Sequence, residues 1–149
     1  MCNYCGCENI GIIGRFMTEH VEIINEAGRL RRAHDAGDAQ GVADHCRQLA
    51  ALLHPHTTAE EVGLFTVMKR DEDFEPTVLQ LCAEHLTLDQ HVERIMDGRT
   101  ELIDDFMLAL REHIDAEENG LFPAAAVGLS GEDWDEVFAA TPHEHEHEH

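Results

Sequence analysis

The sequence predicts an all-α protein: an antiparallel, up-down-up-down four-helix bundle with a short C-terminal fifth helix. Apolar residues recur at intervals of three and four through most of the 149 residues, without the strict alternation of a half-buried β-strand. The first four helical segments have similar lengths and short connections. Short connections make consecutive helices antiparallel neighbours, which gives a bundle around a single core.

The first two helices form the N-terminal half of this bundle. The first is predicted over residues 10–35, and the second over 39–69 with Asp38 as its cap. Pro55 is expected to bend the second helix or make it restart, because proline lacks the N–H that a helix needs. The predicted core positions are Ile13, Met17, His20, Ile24 and Ala27 in the first helix, and Val42, Cys46, Leu49, Leu53, His56, Glu60 and Val67 in the second.

The C-terminal half follows the same plan. Helices are predicted over 76–96 and 100–122, and a fifth over 132–140 carries Trp134. The predicted core positions are Val78, Leu81, His85, Leu88, Val92 and Ile95 in the third helix, and Leu102, Phe106, Ala109, His113, Glu117 and Leu121 in the fourth. The expected organisation is one bundle over 10–140, between a cysteine-containing segment (1–9) and a histidine-rich tail (141–149).

The charge balance restricts the partners of the protein. Ten Lys and Arg stand against 31 Asp and Glu, for a formal net charge of −21. Such a chain repels nucleic-acid phosphates and anionic membrane surfaces. Because the sequence shows neither a signal peptide nor an apolar run of about 18 residues, we expect a cytoplasmic protein with no membrane partner.

Six polar residues interrupt the predicted core. One histidine on an apolar face is more often a hydrogen-bonded core residue than a ligand, and buried carboxylates are costly unless they are paired or bind a cation. Interruptions in all four helices favour a metal site. These residues are His20, His56, Glu60, His85, His113 and Glu117.

The spacing of these residues suggests which side chains point inward. His56 and Glu60 are four residues apart and share one helical face, as do His113 and Glu117. The glutamates that follow, at 61 and 118, lie further around the helix. They are expected to be solvated or to accept hydrogen bonds outside the metal shell.

An internal repeat predicts two metal ions. PHTTAEEVGLF (55–65) and EHIDAEENGLF (112–122) match, and TEHVEI around His20 matches AEHLTL around His85. Each half therefore supplies one isolated histidine and one His-x-x-x-Glu. With two bridging carboxylates and one bridging oxygen, two octahedral metals would keep two open positions. Imidazole and carboxylate without thiolate suit iron or manganese.

The motifs that carry this site resemble the bacterial hemerythrin-like HHE cation-binding domains. The resemblance covers about residues 10–125, through EH at 19–20, HTTAEEVGLF at 56–65, EH at 84–85 and HIDAEENGLFP at 113–123. It implies a hemerythrin-like bundle and two iron ions joined by an oxo or hydroxo bridge. The ligands that it implies are His20, His56, Glu60, His85, His113 and Glu117.

Two departures from the respiratory oxygen carriers of this family bear on function. Those proteins have His-x-x-x-His on the third helix, where this chain has His85 and Asp89, and His-x-x-x-x-Asp on the fourth, where it has Glu117 and Glu118. A more anionic ligand set favours ferric iron, which argues against stable oxygen carriage. The H–HxxxE–H–HxxxE pattern is similar to an actinobacterial subgroup for which peroxide decomposition is proposed.

The resemblance therefore implies a non-haem di-iron protein that binds or reacts with dioxygen, peroxide or nitric oxide, in oxidative stress or in oxygen and iron handling. Catalase-like decomposition of peroxide is its candidate reaction. The alternative is an iron or redox sensor without turnover, with a partner surface controlled by metal occupancy. The chain could form a homo-oligomer in either case. A metal-free bundle with a hydrogen-bonded polar layer is the third hypothesis.

The remaining cysteines and the C-terminal tail were considered separately. Cys2, Cys5 and Cys7 could hold a second metal, form a redox disulfide, or be reactive thiols on a mobile tail, and three thiols alone leave a tetrahedral site incomplete. Cys46 and Cys82 are expected to be buried small hydrophobic residues. The tail HEHEHEH is either natural or a purification tag, and it is excluded from the site.

Overall fold

A computed structural model describes residues 11–142 and is helical, with no β-strand in this range. The helices are α1 (Gly11–Asp35), α2 (Ala39–Glu60), α3 (Thr66–Met68), α4 (Glu75–Met96), α5 (Ile103–Ala116), α6 (Phe122–Gly128) and α7 (Gly131–Ala140). Helix α1 packs against α2, α2 against α4, α4 against α5, and α5 against α1. These neighbours close a four-helix bundle, so the predicted fold class is confirmed.

The bundle consists of four continuous helical segments, which we call rods. A π-helical turn lies within the second rod and another within the fourth. Glu61–Phe65 joins α2 to α3, and Glu117–Leu121 joins α5 to α6. The fourth rod therefore continues to Gly128 and does not end at the predicted residue 122. Helix α2 continues without interruption through Pro55, so the predicted restart there is wrong. The interruption comes instead after Glu60, in the π-helical turn.

The ends of the helices follow local sequence signals. Asp38 caps α2 as predicted, because its Oδ1 accepts a hydrogen bond of 2.9 Å from the backbone N–H of Gly41. Ser130 and Asp133 form a reciprocal capping box at the start of α7. Helix α7 packs on the first π-helical turn and on α3. There Gly63 lies against Thr141, and a Cβ at position 63 would be 2.1 Å from the Thr141 hydroxyl oxygen.

The predicted core is correct on two helices and partly wrong on the other two. All the predicted core residues of α4, and all those between Val42 and Val67, are buried. On α1, Met17 and Ile24 are 41% and 36% exposed. In the fourth predicted helix, Leu102 at the end of a 3-10 turn (Thr100–Leu102) and Ala109 on α5 are only half-buried. Their places are taken by residues one position away, namely Phe16 and Ile23 on α1, and Ile103 and Leu110 on α5.

This error has a simple cause. A straight helix has 3.6 residues per turn, so a spacing of four and three residues does not match it perfectly. Two stripes that are shifted by one residue can therefore fit the same apolar pattern. Packing against the neighbouring helices selects the stripe that contains the large Phe16 ring, which is fully buried. Cys46 is buried as expected, whereas Cys82 is only partly buried.

The apolar core is divided into two clusters. One lies towards the π-helical turns and α7 and is centred on Phe16, Phe65 and Phe122. The other fills the opposite end of the bundle, around Leu49 and Phe106. The buried histidines and glutamates occupy neither cluster. They form a polar layer in the bundle interior, which positions the candidate site.

No helix within residues 11–142 is both long enough and apolar enough to cross a membrane.

Candidate metal centre

The structure brings all six predicted ligand residues together in one buried layer. Each residue is at most 3% exposed, and the two glutamates are fully buried. Every rod of the bundle contributes, since α1 and α4 each supply one histidine, and α2 and the fourth rod each supply one histidine and one glutamate. The residues are His20, His56, Glu60, His85, His113 and Glu117.

The first donor group contains two histidines and two glutamates. Oε2 of Glu60 lies 3.1 Å from Nε2 of His56 and 3.7 Å from Nε2 of His20. Oε1 of Glu117 lies 2.9 Å from Nε2 of His20. One donor atom from each of these four residues lies within 4.8 Å of all the others, a spacing that could hold one metal ion.

The second donor group uses the same glutamates with the other two histidines. Oε1 of Glu60 lies 3.0 Å from Nε2 of His85. Oε2 of Glu117 lies 3.1 Å from Nε2 of His113 and 3.6 Å from Nε2 of His85. Each glutamate therefore places one oxygen in each group. This arrangement allows both carboxylates to bridge two cations.

At Nδ1, each of these histidines hydrogen-bonds to a glutamate on a neighbouring rod. The four N···O distances are 2.6–2.7 Å, and the pairs are His56–Glu19, His85–Glu61, His113–Glu84 and His20–Glu118. We call these four glutamates the outer carboxylates. The pairs connect α1 to α2, the first π-helical turn to α4, α4 to α5, and the second π-helical turn to α1. Together they link each helical segment of the bundle to both of its neighbours.

The outer carboxylates determine the tautomer of each imidazole. An ionised carboxylate can only accept a hydrogen bond, so Nδ1 must carry the proton and donate it. In the neutral ring, Nε2 then keeps a lone pair directed into the layer. Histidines that bind metals in proteins almost always donate their other N–H in this way.

The atoms that face the inside of the layer are arranged as metal ligands and not as hydrogen-bond partners of one another. The Nε2 atoms of all four histidines and both oxygens of Glu60 and Glu117 are buried without a hydrogen-bond partner among the described residues. Leaving so many polar atoms unsatisfied is costly in a protein core. A pair of cations would satisfy all eight atoms at once.

In the metal-free protein, protons take the place of the cations. Burial opposes the charge of His20, but the nearby carboxylates of Glu117 and Glu60 outweigh it and raise its pKa to about 10. Burial also opposes the charge of His56, but Glu60 and Glu19 raise its pKa to about 9. For His85, Glu117 and Glu60 outweigh burial and raise the pKa to about 11. Burial likewise opposes ionisation of Glu60, yet the surrounding imidazoles hold its pKa well below the usual range.

The π-helical turns explain how two consecutive glutamates can serve different purposes. Glu60 points into the layer, while Glu61 reaches Nδ1 of His85 on the neighbouring helix. A π-helical turn is wider than an α-helical one, and such turns are common at functional sites. The phenylalanines at the C-terminal ends of these turns, Phe65 within the first and Phe122 directly after the second, pack on the site. Phe65 stacks on His85 at 5.6 Å and Phe122 stacks on His20 at 5.9 Å between ring centroids.

The structure shows which of the neighbouring carboxylates contact the site. Asp89 belongs to neither donor group within residues 11–142. Glu61 and Glu118 accept hydrogen bonds from histidines, one of the two alternatives expected. Glu19 and Glu84 were not predicted from the sequence as partners of the site. The repeated Glu-His dipeptide at 19–20 and 84–85 was the signal that could have revealed them. Cys2, Cys5 and Cys7 lie outside the described residues.

A four-helix bundle with buried histidine and glutamate groups defines the class of cation-binding helical bundles. The model of the hemerythrin HHE cation-binding domain matches residues 11–125, which is most of the chain, and the protein belongs to this family. The match includes all six residues of the polar layer and all four outer carboxylates. No curated protein and no solved structure matched the chain.

Proposed function

We propose that the chain holds two iron ions in the polar layer and reacts there with dioxygen or peroxide. The observation that carries this proposal is the sharing of Glu60 and Glu117 between both donor groups. Shared carboxylates keep two cations close together. The ligands are proposed to be His20, His56, Glu60, His85, His113 and Glu117.

The donor set supports iron or manganese over metals that prefer thiolate ligands. Each group offers two imidazole nitrogens and two carboxylate oxygens, and no thiolate belongs to either group within residues 11–142. This mixture suits iron or manganese, and four protein donors leave room for a small ligand on an octahedral metal. Iron, when bound, would supply the electron transfer on which reactions of dioxygen and peroxide depend.

The surroundings of the layer support a reaction with small molecules. Apolar clusters lie on both sides of the polar layer, and Phe65 and Phe122 cover two of the imidazole rings. These side chains exclude bulk water and strengthen the electrostatic interactions inside the site. Besides dioxygen and peroxide, nitric oxide is small enough to enter such a site.

Metal content and reactivity test this proposal. Iron-loaded protein should contain about two iron per chain and should absorb in the near ultraviolet through oxo-to-iron charge transfer. His56→Ala should lose both properties. His54→Ala is the matched control, because His54 lies two residues away on the same helix and is exposed. Oxygen evolution from peroxide would identify a catalase-like reaction. A reversible spectral change under oxygen without such evolution would reject it.

An iron or redox sensor without turnover is the second candidate. The observation that favours it is a row of exposed apolar side chains, Met17, Val21 and Ile24, on the helix that carries His20. Metal occupancy could influence a partner through this helix. A sensor should change its oligomeric state or its susceptibility to proteolysis between the metal-free and iron-loaded forms. Identical behaviour of the two forms would exclude it.

A further inference from the structure

The two halves of the metal centre carry different charges outside the donor groups. The internal repeat pairs Glu19 with Glu84, and each accepts a hydrogen bond of 2.7 Å from a histidine of the layer. At the position four residues before each glutamate, the two copies of the repeat have different residues. Arg15 precedes Glu19, whereas the neutral Gln80 precedes Glu84.

Both side chains contact the glutamate that follows them. Nε of Arg15 donates to Oε2 of Glu19 at 2.9 Å, and Nε2 of Gln80 donates to Oε2 of Glu84 at 3.1 Å. Arg15 is further fixed by a 2.6 Å hydrogen bond from its Nη1 to the carbonyl oxygen of Pro142. Among the side chains of residues 11–142 that contact Glu19 and Glu84, the two halves therefore have matching hydrogen bonds and differ by one positive charge.

The other three outer carboxylates have no comparable positive partner in the described part of the chain. Among residues 11–142, Glu19 is the only outer carboxylate that forms an ion pair with a Lys or Arg. The Arg15 cation withdraws electron density from Glu19, and through it from His56. It also repels a metal ion in the first donor group more strongly than one in the second, because repulsion between like charges decreases with distance.

We propose that Arg15 makes the two metal positions unequal, so that the position held by His85 and His113 binds a cation more tightly and fills first. Arg15 acts as a positioning residue through Glu19 and does not touch the metal. This inference rests on the proposed two-metal centre but not on iron or on any reaction with oxygen. A difference in affinity of roughly two- to tenfold is expected from one partly screened charge.

Cobalt(II) is the probe for the order of filling. Metal-free protein would receive one equivalent, and proton NMR would follow the Nδ1–H signals of the layer, which the paramagnetic ion shifts when it binds to the same ring. His85→Gln and His20→Gln variants assign the signals. To keep cobalt in the centre, all proteins would carry alanine in place of His143, His145, His147 and His149. The shifted signals at one equivalent should belong mainly to His85 and His113.

Exchanging the two side chains gives the decisive comparison. Arg15→Gln should make the two positions nearly equal, and Arg15→Gln combined with Gln80→Arg should reverse the order. Arg15→Lys keeps the charge and should keep the original order, which a purely structural role of arginine would not predict. Simultaneous filling in the parent protein, or an order unchanged in the exchanged variant, would overturn the inference. Failure of iron-loaded protein to react with oxygen or peroxide would reject the proposed function and leave the filling order intact.

Discussion

Glu84 accepts a hydrogen bond of 2.7 Å from Nδ1 of His113, across the contact between α4 and α5. This bond places the lone pair of His113 on Nε2, which faces Glu117 at 3.1 Å. The side chain of Glu84 is still 31% exposed, so the carboxylate is solvated on its outer side. A partly solvated glutamate thus orients a buried imidazole, and the other outer carboxylates repeat this arrangement.

Removal of this hydrogen bond should weaken metal binding. Glu84→Ala leaves His113 free to rotate and to adopt the wrong tautomer, and loss of such a partner typically lowers metal affinity by about 10- to 100-fold. Competition with a chelator would measure the change. Glu93→Ala, an exposed position on the same helix, is the control. Equal affinities of the two variants would show that the outer carboxylates do not support the site.

Glutamate and histidine variants should differ in how many metal ions they lose. Glu60→Ala removes a donor from both groups, so the metal content should fall towards zero. His113→Ala removes a donor from one group only, and about one ion per chain should remain. Elemental analysis after desalting measures both. A Glu60→Ala protein that retains one ion would contradict the bridging role of this carboxylate.

The metal-free protein should lose stability at high pH. The folded-state pKa values of His20, His56 and His85 are about 10, 9 and 11, above the 6.5 of an unperturbed histidine. Protonated imidazoles thus stabilise the fold fully below pH 6.5, and this contribution is lost as the pH rises through 9 to 11. The pKa of Glu60 is lowered from 4.5, so its contribution is lost below that pH.

Denaturant unfolding of metal-free protein at pH 6, 8 and 10 would follow this decline. His85→Gln has one titrating imidazole fewer and should show a shallower decrease. Iron-loaded protein should be much less sensitive over the same range, because its imidazoles are already neutral. A free energy of unfolding that rises between pH 6 and 10 in the metal-free protein would contradict the expected charge state of the layer.

Gly63 and Gly120 occupy matching positions in the repeat and should respond differently to alanine. A Cβ at Gly63 would lie 2.1 Å from Oγ1 and 3.2 Å from Cβ of Thr141, whereas at Gly120 no atom of residues 11–142 would lie within 4 Å of it. Gly63→Ala should therefore cost about 1–3 kcal/mol in the free energy of unfolding. Gly120→Ala should be neutral or stabilise by about 0.5–1 kcal/mol. Thermal or denaturant unfolding measures both.

A second substitution tests the cause of this cost. Thr141→Ala removes the hydroxyl that would clash, at the expense of its hydrogen bond to the carbonyl of Val137. In the Gly63→Ala background it should restore part of the lost stability. If it restores none, the cost arises from the π-helical turn itself and not from the packing of α7.

Much of the fold followed from periodicity. Every residue predicted for the buried stripes of α2 and α4 is buried, although Thr57 and Ala59 of α2 are buried as well. The stripe of α1 was partly wrong, since Met17 and Phe16 are both apolar and one residue apart. Only packing against the neighbouring helices could choose between them. The π-helical turns also escaped prediction, because a wider turn leaves no distinct signal in apolar spacing.

By itself, the sequence determined the bundle and the six side chains of the polar layer. Polar residues at core positions are costly, and spacing along a helix fixes which of them share a face. Only the tertiary structure decided how those side chains are paired. The hydrogen bonds of Glu19 and Glu84 cross between helices, and the sharing of Glu60 by both donor groups depends on where four rods place their atoms. Distances between helices are set by packing, which spacing along one helix cannot encode.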